Sequence, residues 1–308
     1  MKFLQLEQIF RNFGVFLCNC KTWFIMDSIK AKRVVVDSGA TKTDWCFVGE
    51  NDGEKICKSF ATEGINQAVM KREEIVKVME GLATRTGRQM IADVEEIEVY
   101  GAGIVTQEGP MALRGILRDA FPNAYKITLS SDLVGAARAL FGNGSGVAAI
   151  MGTGSNSCLY RSGCIIRNIR PGGFILGDEG SGAALGRMLL ADFIKECVPE
   201  DLHKALEENF DLSYPKIVSM VYQGPSPSRF LASFAKFLLE HKDNEYVSQL
   251  IDSNIRAFIE RSLSRYGCSE VGVVGSFGYS CRESLERIGA EYGLRFVRFL
   301  KSPIEGLI

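Results

Sequence analysis

A carboxylate followed by small and hydroxyl-bearing residues marks the first segment that could do chemistry. Residues 37–43 read Asp-Ser-Gly-Ala-Thr-Lys-Thr and begin where a β-branched run ends. Small residues let backbone N–H groups approach phosphate oxygens, and hydroxyls and a lysine add donors. A carboxylate at a strand end can hold Mg²⁺, directly or through water. A second strand-like run, 44–48, follows at once, so the segment predicts either a phosphate-binding turn or an ordinary hairpin with a solvated Asp37.

Two further glycine turns follow apolar runs. Gly152-Thr153-Gly154 lies between the run 146–151 and another strand-like run, and Gly275-Ser276 follows the run 271–274. Glycine turns are common in every fold, so each one alone is weak evidence. Two turns of the strand-turn-strand kind, at the start of two apparent halves, favour a nucleotide clamped between two domains. The turn at Gly275 could pack against its adenine.

Asp132 is the candidate general base. It stands after a strand-like run and before the predicted helix 133–141. Phosphoryl transfer depends mainly on positioning and charge stabilisation, so one carboxylate near the attacking hydroxyl suffices as a base. The dipole of a helix N-terminus would keep it ionised. The alternative is a plain helix N-cap, for which Ser130 and Ser131 compete, and the local sequence leaves both interpretations open.

A glycine-rich loop at residues 171–182 carries two adjacent acids. It reads Pro-Gly-Gly-Phe-Ile-Leu-Gly-Asp-Glu-Gly-Ser-Gly and leads into a small-residue helix start. Either Asp178 or Glu179 could accept hydrogen bonds from sugar hydroxyls, or could cap the helix. A cap does not need the five surrounding glycines, which favours the binding role.

The elements that must position these residues form two similar halves. Each half opens on an apolar strand, a Gly/Thr turn and a second strand, and continues through helical patterns, such as 180–210 and 279–288 in the second half, to further strands. A length of 308 residues suits two domains at about 150 residues each. We therefore predict a duplicated α/β architecture.

Composition disfavours several other classes of protein. Thirty-six basic residues against 37 acidic ones leave no net field to attract nucleic acid or an anionic membrane, so neither is an expected partner. Nine scattered cysteines without a C-x-x-C pair, and two distant histidines, predict a cytoplasmic protein with reduced thiols. The same pattern disfavours a zinc site and His-based nucleophilic catalysis.

The first thirty residues are expected to lie outside the fold. Their apolar stretch is interrupted by Glu7, Arg11 and Asn12, which fits neither a signal peptide nor a membrane-spanning helix. We expect residues 1–30 to be a disordered arm or a mis-called start, with Met26 as the true first residue.

In their order along the chain, these motifs resemble the N-acetylglucosamine kinase branch of the BadF/BadG-type ATPase family, within the actin, Hsp70 and hexokinase superfamily. The resemblance runs from about Arg33 to the C-terminus and rests on DSGATKTDW, EGIN, YGAG, SDLVGAARAL, MGTGSNS, GGFILGDEGSGAALG and VVGSFG. It implies an α/β fold of two ribonuclease H-like, actin-like ATPase domains, each a mixed five-stranded sheet flanked by helices, with a cleft between them. The domains would span residues 31–130, joined by 301–308, and residues 131–300.

The resemblance also implies an activity, the phosphorylation of an amino sugar by ATP with Mg²⁺, foremost N-acetylglucosamine at its 6-hydroxyl. Asp132 would be the catalytic base, and Asp37 would hold Mg²⁺, directly or through water. The phosphate and nucleotide contacts would be Asp37, Gly39, Thr41, Lys42, Thr43, Gly152, Thr153, Gly154, Gly275 and Ser276. The sugar contacts would be Asn66, Asp132, Ser155, Pro171, Gly172, Gly173 and Asp178. Assembly as a homodimer is left open.

Two features depart from the family pattern. Pro171 stands where relatives can carry glycine, and Gly172 replaces a bulkier residue of some relatives, so the sugar pocket is expected to differ. The chain also stops at Ile308, where relatives continue their final helix onto the first domain. We expect either a truncated sequence or a short final helix with a weak contact between the domains.

Other functions within and outside the superfamily are less well supported. Activators of 2-hydroxyacyl-CoA dehydratases hold an iron–sulfur cluster through thiolates, but no cysteine follows the turn Gly101–Gly103. A sugar sensor without turnover would be expected to lack the base, and Asp132 is present. The sequence carries no information about the self-complementary ends that a filament-forming scaffold would need.

Overall fold

The computed structural model describes residues 30–39, 42–51, 53–65, 70–104 and 108–308. The predicted arm, except for its last residue, lies outside the described residues. The same holds for two of the candidate ligands, Thr41 and Asn66.

Two five-stranded sheets share one topology. The first contains β1 (Ala31–Ser38), β2 (Lys42–Asn51), β3 (Glu54–Glu63), β4 (Glu96–Gly101) and β5 (Lys126–Ser131). The second contains β6 (Ser145–Met151), β7 (Ser155–Arg161), β8 (Cys164–Ile169), β9 (Glu270–Val274) and β10 (Arg295–Leu300). Their orders, β3-β2-β1-β4-β5 and β8-β7-β6-β9-β10, are equivalent strand by strand. The predicted fold class is confirmed, and the domain boundaries stay a prediction.

Both sheets are mixed in the same way. The first three strands of each are antiparallel neighbours, and the last two run parallel to the first. In a strand, successive side chains point to opposite faces. Val34 and Val36 of β1 join the core on one face of the first sheet, which leaves Asp37, the next residue, on the opposite face.

Helices cover both sheets. The first domain contributes α1 (Arg72–Thr86), α2 (Arg88–Ala92) and α3 (Glu108–Ala120). The rest of the chain forms α4 (Asp132–Phe141), α5 (Gly173–Leu176), α6 (Gly182–Ile194), α7 (Glu200–Asn209), α8 (Tyr214–Tyr222), α9 (Pro227–Ala232), α10 (Phe234–Glu240), α11 (Glu245–Arg261), α12 (Ser276–Ser280), α13 (Arg282–Glu291) and α14 (Ile304–Leu307). A 3₁₀ turn, Leu263–Tyr266, follows α11. None of the helices in the described ranges is both long and apolar enough to cross a membrane.

Two helical patterns are divided differently from the prediction. The pattern 180–210 forms α6 and α7, because Pro199 between them lacks the N–H that a continuous helix needs. The pattern 279–288 forms the end of α12 and most of α13. Helix begins directly after Gly275, whose φ of +124° suits glycine, and it is interrupted at Cys281.

Helix α4 packs against both sheets. It contacts β4 and β5 of the first sheet and β6 and β9 of the second. Close approach is possible because the helix is rich in small residues: a Cβ atom on Gly135 would lie 2.7 Å from the ring of Tyr100. On another side, the short helix α14 packs onto α4 and also contacts β1. Since Asp132 is the first residue of α4, this packing determines where the candidate base lies.

We expect Leu185→Ala to lower the free energy of unfolding by about 2–5 kcal/mol, because the truncation leaves a cavity in a packed core. Leu185 on α6 has no exposed surface and belongs to the core of the second domain. Urea unfolding followed by circular dichroism measures the loss. Ile166→Ala on β8 is the control, because Ile166 is 56% exposed. Equal losses in the two variants would contradict this packing.

Candidate active site

The first glycine turn joins the ends of β1 and β2. The N–H of Gly39 donates to the Lys42 carbonyl at 3.0 Å, and Asp37 pairs across the strands with Asp44. The Lys42 ammonium lies 2.7 Å from Oδ1 of Asp44. The turn therefore brings one ammonium group and two carboxylates together at the end of the sheet.

Thr43 is turned away from this edge. Its side chain is fully buried, and its hydroxyl lies 2.8 Å from Oγ of Ser38. The N–H of Ile65 donates to the Thr43 hydroxyl at 3.0 Å, and Ser38 donates to the Ile65 carbonyl at 2.9 Å. The hydroxyl predicted to bind phosphate thus anchors the chain just before Asn66. A phosphate contact by Thr43 would have to come from its backbone.

Three carboxylates interact at this turn. Burial is the largest cause that raises the pKa of Asp37 from its ordinary value of 3.8 to about 7, followed by the charges of Asp44 and Asp132. Lys42 acts in the opposite direction. A buried carboxyl beside two others binds a proton or a cation near neutral pH.

This cluster fits Mg²⁺, because a divalent cation would offset the repulsion that Asp37 experiences. Among the described residues, no group of three or more His, Cys, Asp or Glu side chains is arranged to hold a metal ion by itself. An ion at Asp37 would therefore take other ligands from water and phosphate oxygens, as Mg²⁺ commonly does.

Asp132 opens α4, and the structure separates it from the N-cap role. Ser131 is the N-cap, and its hydroxyl accepts a hydrogen bond from the N–H of Val134 at 3.3 Å. The Asp132 carboxylate accepts from the N–H of Leu133 at 2.8 Å. Burial raises the pKa of Asp132, and backbone N–H donors oppose the rise by favouring the ionised form. The side chain is a half-buried acceptor close to Asp37.

The second glycine turn, at residues 152–154, is fixed to the N-terminus of α6. The N–H of Gly182 donates to the Gly152 carbonyl at 2.9 Å, and that of Ala183 donates to Thr153 at 3.0 Å. Ser181 caps α6 by accepting from the N–H of Ala184 at 3.0 Å. These bonds use the first N–H groups of α6 and hold the turn against the positive end of the helix dipole, which favours an anion nearby.

The glycine-rich loop brings Asp178 to the same turn. A Cβ atom on Gly154 would lie 2.9 Å from Oδ2 of Asp178, and the N–H of Ser155 donates to that carboxylate. Burial raises the pKa of Asp178, and the hydrogen bond from Ser155 opposes the rise. The Ser155 hydroxyl donates to the Glu179 carbonyl at 2.7 Å. Asp178 is therefore held at the start of β7.

The loop needs its glycines for close packing. A side chain on Gly177 would overlap the carbonyl oxygen of Pro171, and Gly172 and Gly173 adopt φ values of +80° and +69°. The N–H of Asp178 also donates to that same Pro171 carbonyl, at 2.9 Å. Pro171 and Asp178, seven positions apart in the chain, are thereby brought into direct contact.

A cleft of about 690 Å³ lies beside the second turn. It is lined by residues that include Gly152, Thr153, Gly182, Ala232, Ala235, Lys236, Leu239, Ser276, Tyr279 and Lys301. The Lys301 ammonium lies 4.8 Å from the centre of the Tyr279 ring. Gly275 permits the turn above the cleft, because a Cβ atom there would overlap the Met151 carbonyl. The cleft is large enough for a nucleoside, and the phosphate-type turn forms part of its wall.

Comparison with known proteins identifies the family. A solved structure of a "Putative N-acetylglucosamine Kinase" from Porphyromonas gingivalis is 37% identical, superposes with a TM-score of 0.83, and matches over 89% of this chain and 96% of its own. The chain belongs to the N-acetylglucosamine kinase-like family. No family model matches the chain. No curated protein sequence matches it either.

Two more distant structures share the fold of this N-acetylglucosamine kinase-like chain. A second "Putative N-acetylglucosamine Kinase", from Chromobacterium violaceum, is 17% identical with a TM-score of 0.67, over 87% of this chain and 94% of its own. The glucokinase from Balamuthia mandrillaris in complex with glucose is 12% identical with a TM-score of 0.50, over 87% of this chain and 86% of its own. At these identities the likeness concerns the fold alone.

Within this N-acetylglucosamine kinase-like chain, the sequence motifs meet in three groups. Asp37 interacts with Asp132, Asp178 lies against the second turn, and Ser276 shares the cleft with Thr153. Sequence reasoning missed the third carboxylate, Asp44, although its place in the DSGATKTDW motif directly after Thr43 is visible.

The residues of α10 that line the cleft were also missed. The spacing of these residues, Ala235, Lys236 and Leu239, places them on one side of a helix. The same spacing is expected for a helix that faces the core and for one that lines a cleft. Lys301 lies beyond the last strand, and its sequence surroundings carry no signal for a nucleotide contact. Packing alone reveals these residues.

We expect Asp37→Asn to be more stable than the native chain at pH 8, by up to about 4 kcal/mol, because a tenfold change in proton affinity corresponds to about 1.4 kcal/mol. The folded-state pKa of Asp37, about 7, exceeds the ordinary value of 3.8. The protonated form therefore stabilises the fold fully below pH ~4, and this contribution is lost as the pH rises through ~7. Asparagine cannot ionise, so the variant keeps its stability.

Thermal and urea unfolding at pH 4 and pH 8, without Mg²⁺ or nucleotide, measure this difference. The gap between variant and native chain should be small at pH 4 and large at pH 8. Asp243→Asn is the control, because Asp243 is an exposed carboxylate. A gap of the same size at both pH values would contradict the burial of an ionisable Asp37.

Proposed function

We propose that the chain is an ATP-dependent sugar kinase that phosphorylates an amino sugar, foremost N-acetylglucosamine at its 6-hydroxyl. The single observation that carries the proposal is the placement of Asp132. This half-buried carboxylate sits at the N-terminus of α4, close enough to the turn at Asp37 to raise the pKa of Asp37. A proton acceptor beside a phosphate-type turn is the minimum that hydroxyl phosphorylation requires.

The two acids take different roles in this proposal. Burial raises the pKa of Asp132, which strengthens it as a proton acceptor, while hydrogen bonds from backbone N–H groups favour the ionised form that receives the proton of the attacking hydroxyl. Asp37 would hold Mg²⁺, directly or through water, and the ion supplies positive charge to the phosphate oxygens of ATP. Lys42 adds positive charge on the same side, where it acts to lower the pKa of Asp37.

ATP is proposed to occupy the cleft beside the second turn. The adenosine would lie between α10 and α12, against Leu239 and Tyr279, and the phosphates would reach Gly152 and Thr153. The N-terminus of α6 lies directly behind this turn, and its helix dipole favours an anion there.

The acceptor is proposed to bind at the glycine-rich loop. Asp178 and Ser155 supply polar groups, while Gly172 and Gly173 offer backbone and no side chains. The family sequence pattern adds Asn66 and Pro171 to the sugar contacts. The amino-sugar identity rests on the similarity to the Porphyromonas gingivalis structure, which is described as a "Putative N-acetylglucosamine Kinase" and is 37% identical to the chain.

A coupled ADP-release assay tests the activity. The acceptors are N-acetylglucosamine, glucosamine, N-acetylmannosamine, glucose and muramic-acid derivatives, each with and without Mg²⁺. We expect Mg²⁺-dependent turnover with at least one amino sugar, highest with N-acetylglucosamine. A slow ATPase that ignores every sugar would overturn the kinase proposal in favour of an ATPase activator or a sugar sensor.

We expect Asp132→Asn to lower kcat by about 10²–10⁴-fold, the usual contribution of a positioned base. Sugar binding, measured by calorimetry with a non-hydrolysable ATP analogue, should change by no more than about threefold, because the amide keeps the shape of the carboxylate. Asp119→Asn is the control, since Asp119 is a surface carboxylate 74% exposed. Full activity in the Asp132 variant would remove this residue from the mechanism.

A further inference from the structure

The segment Tyr100-Gly-Ala-Gly has no role in the function proposed above, yet its tyrosine touches the helix that carries the base. Tyr100 is the penultimate residue of β4 and is 2% exposed. Its ring lies against Gly135 of α4 so closely that a Cβ atom there would be 2.7 Å from the ring. The guanidinium of Arg138, one turn further along α4, lies 6.0 Å from the ring centre. Tyr100 therefore contacts two successive turns of α4.

The hydroxyl of Tyr100 connects α4 to the first sheet. It accepts a hydrogen bond from Nη1 of Arg138 at 3.3 Å and donates to Oε2 of Glu98 at 3.0 Å. The other oxygen of Glu98 accepts from Nε of Arg33 at 2.8 Å. Burial acts to raise the pKa of Glu98, but the hydrogen bonds from Arg33 and Tyr100 and the charge of Arg33 outweigh it and hold that pKa below its usual range. Glu98 is thus an ionised acceptor, which strengthens its bond to the tyrosine.

The same chain of contacts reaches the last helix. Nη2 of Arg33 donates to the Leu307 carbonyl of α14 at 3.3 Å. In α14, Gly306 packs directly on α4, since a side chain there would overlap the Ala139 carbonyl. Polar contacts through Arg33, Glu98 and Tyr100 therefore tie α14 and α4 to the strands β1 and β4.

We propose that Tyr100 is a positioning residue, which holds α4 in the register that places Asp132 at the phosphate turn. The proposal rests on the sugar kinase activity proposed above. The hydroxyl of Tyr100 bonds to Glu98 and Arg138 and not to the groups proposed to react. Its hydroxyl instead limits how α4 slides or turns, and a displacement of about 1 Å in a reacting group can cost 10²-fold in rate.

Tyr100→Phe keeps the ring against Gly135 and removes only the hydroxyl. We expect kcat to fall by about 10–100-fold, because Asp132 loses its fixed position. KM for ATP and for the sugar should change by no more than about threefold, since the hydroxyl that the variant removes bonds to Glu98 and Arg138 and not to a proposed ligand contact. The matched control is Tyr125→Phe, because the Tyr125 hydroxyl also bonds to a glutamate of β4, Glu96, at 3.2 Å, but is far more exposed and away from α4.

A second variant tests the same contact from the helix. Arg138→Met removes the donor to the Tyr100 hydroxyl, and the double variant Tyr100→Phe/Arg138→Met completes a double-mutant cycle. If both side chains act through one hydrogen bond, the double variant should lose no more kcat than the worse single variant. If the fold-loss of kcat in the double variant equals the product of the two single fold-losses, the two side chains act independently and the positioning role is overturned.

Three further results for the tyrosine variants would overturn the inference. Unchanged kcat in Tyr100→Phe, a change confined to KM, or an equal loss in Tyr125→Phe would each overturn the inference. If Tyr100→Phe unfolds at the assay temperature, Arg138→Met provides the test: a lower kcat with a nearly unchanged KM would support the inference, and any other pattern would overturn it. An inactive native chain would refute the proposed function itself, which distinguishes that failure from an active native chain with an indifferent Tyr100 variant.

Discussion

The packing of α4 between the two sheets is the constraint on which the site depends. Two glycines make it possible: Gly135 lets the ring of Tyr100 approach the helix, and Gly306 lets α14 lie on the Ala139 carbonyl. Core residues of α4, such as Leu133 and Ala136, pack with strands of the second sheet. The place of Asp132 is therefore set by helix packing against both domains. A group on a packed helix is held more precisely than one on a loop.

The glycine-rich loop positions its carboxylate, Asp178, through the conformation and hydrogen bonds of its backbone. Asp178 adopts a φ of +55°, an unusual conformation for a residue with a side chain, which costs roughly 1–3 kcal/mol. Hydrogen bonds on both sides, to the Pro171 carbonyl and from the Ser181 N–H, maintain it. Gly177 allows the two ends of the loop to touch. The carboxylate is thereby fixed next to Ser155, and in the proposed sugar site this preorganisation would lower the entropy lost on binding.

The sequence predicted what local pattern encodes. Apolar runs ending in Gly/Thr turns identified β1, β6 and their duplication, and the order of the motifs identified the family. What the sequence could not predict depends on segments far apart in the chain. The inward hydroxyl of Thr43 is explained by its bond to Ile65, and the role of Leu239 as a cleft wall is explained by α12, which lines the same cleft. Each of these contacts becomes visible only when distant elements are assembled.

The carboxylates at the first turn make the site dependent on positive charge. Without a cation, the Asp37 carboxyl is destabilised in its ionised form by burial and by its neighbours Asp44 and Asp132. A cation at Asp37 favours the ionised state of every nearby carboxylate, including the proposed base. The proposed base would thus be ionised to a greater extent with a cation at Asp37 than in the free chain. Such coupling would make proton abstraction depend on the cation as well as on the position of Asp132.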